Sequence, residues 1–222
     1  MDKLTVGILI VFATLLALPL YADGPVQVAD SSVFIKVKAT YYTPTGKKDG
    51  WSSCSGVFIT PSAILTAAHC LSKPELTKQM WFSYQGKSYR FTPWYSDERR
   101  DLAILVARDI RGTPAKLDPI LTVGEDVWAY GFPLRIPGIL TKGIVSNPRI
   151  VSYDDKVAEI FFDSMIFPGS SGGGLFNKHG HLVGITVKTT SFARGAAGLG
   201  IAVSMEEIHA FIRDATSFRR RG

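Results

Sequence analysis

The chain has 222 residues, a formal net charge of +6 and 46% hydrophobic residues, so it is long enough to bury a core of its own. Its positive residues are scattered apart from Arg219-Arg220-Arg221, which excludes a nucleic-acid motif and reads as a solvated tail. Two cysteines and four histidines are present, with no set at metal-ligand spacing.

The amino terminus reads as an export signal. Lys3 is followed by an apolar stretch from Leu4 to Leu20 and then by Leu20-Tyr21-Ala22, and cleavage is expected after Ala22. An uncleaved anchor is the alternative, although the stretch is shorter than the about 20 residues of a spanning helix. No second long apolar run follows.

Strand-like runs come next, over Val33–Tyr42, Gly56–Thr60, Met80–Tyr84, Ser88–Thr92 and Leu102–Val106. Between them, Ser62-Ala63-Ile64-Leu65-Thr66 leads through Ala67-Ala68 to His69, which places the imidazole where a strand breaks into a turn. Asp101 stands at the entry to the apolar run 102–106. Asp97 is a rival carboxylate farther from that strand. Residues 111–119, with two prolines and a glycine, read as a crossing between two halves.

The second half repeats the pattern over Asp126–Tyr130, Ile139–Ser146, Val157–Phe162, Gly173–Phe176, His181–Lys188 and Leu199–Val203. Asn177-Lys178-His179-Gly180 is a hairpin turn, which leaves His179 and His181 as surface residues rather than ligands. At the end, Ser204 and Glu207 form a capping-box pattern ahead of a helix whose apolar face is Ile208, Phe211, Ile212 and Ala215.

Within the second half lies Pro168-Gly169-Ser170-Ser171-Gly172-Gly173-Gly174-Leu175. A serine hydroxyl becomes a nucleophile only when a base takes its proton and a third group orients that base. Ser171, His69 and Asp101 supply those types. The glycines allow a tight turn that aims the N–H groups of Gly169 and Ser171 at one point, where an oxyanion would be held. Gly169-Ser170-Ser171-Gly172-Gly173 also satisfies the elbow pattern of α/β-hydrolases, but there the order is serine, acid, histidine. After Ser171 only Glu206 or Glu207 with His209 could serve, and these share one helix.

On these residues the chain resembles a trypsin-like peptidase. Thr66-Ala67-Ala68-His69-Cys70 and Cys54-Ser55-Gly56 are similar to the histidine region of the chymotrypsin–trypsin family. Gly131-Phe132-Pro133, Gly143-Ile144-Val145-Ser146, Asp163-Ser164 through Pro168-Gly169, and Gly198–Val203 resemble HtrA/Deg-type bacterial enzymes more closely.

The resemblance implies an all-β fold of two six-stranded antiparallel β-barrels with a C-terminal α-helix. The first barrel is expected over about 28–110, the linker over about 111–121, the second barrel over about 122–203 and the helix over about 204–217. It also implies a disulfide between Cys54 and Cys70, as fits an exported chain; reduced thiols would be the reading for a cytosolic one.

The resemblance further implies that Met165 lies at the base of the primary specificity pocket, with Val187, Lys188 and Thr189 as its wall, so a small or medium apolar residue is expected before the cut bond. Two departures stand out. Ser170 replaces the aspartate that receives a new N-terminus in the trypsin group, and the residues after Ser171 leave no room for a PDZ domain.

The expected function is therefore an exported, periplasmic or secreted serine endopeptidase that works through an acyl-enzyme. Its expected partners are protein or peptide substrates, with no cofactor, no metal, no nucleic acid and no membrane after signal cleavage. A monomer or small homo-oligomer is expected. The alternative is a protease-like peptide-binding or chaperone module without turnover.

Overall fold

The structure, a computed structural model, describes residues 27–71, 77–190 and 198–219. The signal segment expected over residues 1–22 lies outside them, as do Arg220 and Arg221. No described helix is long and apolar enough to cross a membrane.

After a single helical turn, α1 (Val28–Ser31), come β1 (Ser32–Thr43), β2 (Gly46–Thr60), β3 (Ala63–Thr66), β4 (Thr77–Tyr84), β5 (Lys87–Arg90), β6 (Thr92–Asp97) and β7 (Leu102–Val106). They form one sheet in the order β5-β4-β1-β2-β3-β7-β6. The two-barrel plan holds, but this half is a seven-stranded half-barrel rather than a closed six-stranded one.

The extra strand is β6, a sheet-edge strand that contains Pro93 and has no fully buried residue. Proline is tolerated at a sheet edge because no ladder donor is needed there, so neither hydrophobic alternation nor strand propensity announced it. β2 begins ten residues before the expected Gly56. Its first stretch is polar and exposed, and pairs with the outer end of β1 from Thr43↔Gly46 inward.

The second half closes. β8 (Asp126–Gly131), β9 (Ile139–Val151), β10 (Ala158–Phe162), β11 (Gly174–Asn177), β12 (Leu182–Thr189) and β13 (Gly200–Ser204) make a six-stranded barrel in the order β10-β13-β12-β11-β8-β9. Its interior holds Val127, Val145, Ile160, Phe162, Leu175 and Val183, all nearly inaccessible. The hairpin turn at 177–180 is closed by Gly180 N–H donating to the Asn177 carbonyl at 2.9 Å, with Gly180 at φ +73°. His179 is exposed, and His181 lies 3.6 Å from Asp118.

The terminal helix, α2 (Met205–Arg219), buries Ile208, Phe211 and Ala215 completely, as the apolar spacing requires. It packs on β12 and β13, and also reaches the first half, where Tyr95 of β6 meets Phe211 and Phe218 at 5.3 and 5.7 Å between ring centroids. One apolar cluster therefore runs from Val33, Phe58 and Leu105 through Phe176 and Ile185 into the helix.

The expected capping box does not form. Ser204 Oγ is buried without a hydrogen-bond partner among the described residues. Glu207 turns away from it to accept from Ala158 N–H at 3.1 Å and from Arg100 Nε at 3.0 Å. A tertiary cation outcompetes the local cap.

Candidate active site

His69 sits in a short 3-10 turn, Ala68–Cys70, at the end of β3. Asp101 enters β7 in the left-handed region at φ +52°, a conformation that aspartate tolerates better than most side chains. That turn lets one residue hold the histidine segment three times. The Asp101 carbonyl accepts from Ala68 N–H at 3.1 Å, its Oδ1 accepts from His69 N–H at 2.9 Å, and its Oδ2 lies 2.7 Å from His69 Nδ1. The rival Asp97 instead pairs with Arg100 at 2.7 Å.

Arg100 is nearly buried and gathers Asp97, Glu207 and Asp214 within 3.0 Å. Burial alone would lower its pKa, but hydrogen bonds to these carboxylates outweigh that and raise it. The residue next to Asp101 is thus tied to both β6 and α2.

Ser171 reaches the same place from the other half. Its carbonyl accepts from Ser55 N–H of β2 at 2.8 Å and lies 3.6 Å from Cys70 Sγ, beside His69. Its hydroxyl is 3.4 Å from the Val187 carbonyl. Val187 and His69 line one cleft of about 270 Å³ together with Asp101. The Cys54–Cys70 disulfide is present and fastens the histidine turn to β2. Cys54, His69 and Cys70 cluster within 4.8 Å, but the two sulfurs are bonded to each other and offer no thiolate to a metal.

The turn carrying Ser171 depends on its glycines. Gly169 and Gly172 lie at φ +103° and +82°, and a side chain on Gly172 would run into Thr66 Oγ1 and the Ser55 carbonyl. Neither Gly169 N–H nor Ser171 N–H has an acceptor among the described residues, whereas Ser170 N–H donates to Phe167 O at 2.9 Å and Gly172 N–H to Thr186 O at 2.7 Å. The two expected oxyanion donors are the unengaged ones.

The residues expected to form the specificity pocket separate. Met165, 58% exposed, lines a recess with Ile139, Thr141, Phe167 and Ser170. Val187 and Lys188 border the cleft beside His69, and Thr189 is exposed. Lys188 pairs at 2.7 Å with Glu159, whose side chain is 8% exposed. This charged wall was not evident in the sequence, because β10 and β12 are not neighbours along the chain.

A two-half β-fold with an imidazole–carboxylate pair on one half and a glycine-flanked serine on the other defines the chymotrypsin-like class. Residues 54–185 match the model of the trypsin-like peptidase domain, and the chain belongs to that family. It is 30% identical over 213 residues to the mitochondrial serine protease HTRA2 of Drosophila virilis, covering 90% of this chain and 49% of the relative. The protein of the same name in Drosophila grimshawi is also 30% identical, over 90% of this chain and 48% of its own length. The chain spans about half the length of the curated relatives it matches. Among solved structures, the HtrA-type protease AlgW with a decapeptide superposes with a TM-score of 0.76 at 22% identity, covering 89% of this chain and 67% of that one.

Proposed function

We propose that this protein is an exported serine endopeptidase. Ser171 attacks the peptide carbonyl, His69 takes its proton and passes it to the leaving amine, and Asp101 keeps His69 in one tautomer and balances the charge it acquires. The N–H groups of Gly169 and Ser171 receive the oxyanion. Water then releases the acyl-enzyme.

The observation that carries this reading is the triple grip of Asp101 on the His69 turn. A carboxylate that merely capped a turn would not need its second oxygen on the imidazole. The serine hydroxyl rests on Val187 O at 3.4 Å and has no hydrogen bond to His69 among the described residues; in the proposed mechanism it turns to the imidazole when substrate binds.

Export is supported by the Cys54–Cys70 bridge, which persists in an oxidising compartment. A small or medium apolar residue before the scissile bond is supported by Met165, Ile139 and Thr141, a recess with no carboxylate to attract lysine or arginine. Peptide substrates are in keeping with the decapeptide held by the similar AlgW structure.

The purified protein is expected to react with a fluorophosphonate probe, to lose that reaction in Ser171→Ala, and to cut a peptide library after apolar residues. A folded, unaggregated sample that never labels would favour the alternative, a peptide-binding or chaperone module without turnover. Cleavage mainly after lysine or arginine would overturn the pocket assignment alone.

A further inference from the structure

Every carbonyl in the turn Pro168–Ser171 has a donor. Pro168 O accepts from Leu134 N–H at 2.9 Å and Ser171 O from Ser55 N–H at 2.8 Å. Gly169 O accepts from the Ser55 hydroxyl at 2.8 Å. Ser170 O accepts from the Thr186 hydroxyl at 2.8 Å and from Gly173 N–H at 2.9 Å.

A peptide unit is planar, so holding the C=O of one residue fixes where the N–H of the next one points. The Ser170 carbonyl and the Ser171 N–H belong to the same plane. The Thr186 hydroxyl therefore acts on the peptide whose other end is an expected oxyanion donor.

Thr186 Oγ1 also lies 3.1 Å from Gly173 O; each of the two carbonyls already accepts one backbone N–H at 2.9 Å, so distance decides between them. The single hydroxyl proton goes to the shorter contact with Ser170 O. Ser55 holds the adjacent plane: its hydroxyl donates to Gly169 O and accepts from Phe132 N–H at 2.9 Å. Both side chains are almost wholly buried, at 1% and 0% exposure, so water cannot replace either bond.

We infer that Thr186 of β12 is a positioning residue that aims the Ser171 N–H, one of the two expected oxyanion donors. This rests on the serine-endopeptidase reading above. Thr186 borders the Met165 recess but is only 1% exposed and its hydroxyl is spent on the turn, so the device shows itself in the transition state and leaves ground-state binding nearly unchanged.

The test is Thr186→Val, which keeps the shape of the side chain and removes its proton, measured in the full chain on a fluorogenic peptide that the wild type cuts. We expect kcat to fall about 10–100-fold, because removing an oxyanion donor outright costs about 100–1000-fold and misalignment costs less. KM should stay within about two-fold, the variant's affinity for a peptide aldehyde of the same sequence should fall in step with kcat, and Thr186→Ser should restore both.

Wild-type kcat in Thr186→Val, or a loss in kcat that leaves aldehyde affinity unchanged, would overturn the inference while leaving the endopeptidase reading intact. If Thr186→Val does not fold, Thr186→Ala removes the same hydroxyl proton, and unchanged kcat there overturns the inference equally. A wild type that neither labels nor cleaves removes the parent reading and this one together.

Discussion

At Asp101 a single residue holds the histidine segment through both its backbone and its side chain. Its left-handed backbone turns the carbonyl onto Ala68 while the carboxylate spans the His69 amide and ring. Asp101→Asn keeps the size of the side chain but loses the fixed acceptor, and an amide at that position favours the wrong imidazole tautomer. We expect kcat near neutral pH to drop about 10⁴-fold with little change in melting temperature, measured by peptide cleavage beside a thermal scan. A loss below about ten-fold would remove Asp101 from the relay.

At the scale of elements, α2 does more than cover the second barrel. Its Glu207 and Asp214 hold the guanidinium of Arg100, and Glu207 also accepts from Ala158 N–H at the start of β10. Arg100→Ala leaves nearly buried carboxylates facing each other, and we expect about 2–3 kcal/mol of lost stability. Denaturant unfolding checks this, and a change under about 0.5 kcal/mol, the usual effect of a surface substitution, would show that the network is incidental.

The same network shows why part of the site stayed hidden in the sequence. His69, Asp101 and Ser171 each stand at the end of an apolar run or inside a glycine cluster, so local pattern marks them. Ser55, Thr186 and Arg100 sit in ordinary strand or loop composition, and their bonds reach residues far away along the chain or pass through backbone carbonyls that leave no mark in a side-chain pattern. The Ser204–Glu207 pattern failed for the matching reason: a local motif predicts a local bond only when no distant charge competes for the same carboxylate. β6 escaped because an exposed edge strand needs no alternation.

Across the whole molecule, the proposed base and its acid, His69 and Asp101, belong to the half-barrel and the proposed nucleophile, Ser171, to the closed barrel. The seam between them is stitched where Ser55 meets Gly169, Phe132 and Ser171. The Cys54–Cys70 bridge closes a loop of 16 residues that contains β3 and the His69 turn. Replacing both cysteines by serine should cost about 3 kcal/mol on the chain-entropy account and should lower activity before it unfolds the chain. Paired activity and circular-dichroism melts check this; coincident curves would show that the bridge does not steady the histidine turn.

The position of α2 in the chain also sets an order of events during synthesis. Glu207 and Asp214 are translated after all three proposed catalytic residues, so until α2 is made Arg100 has Asp97 alone of its three carboxylate partners.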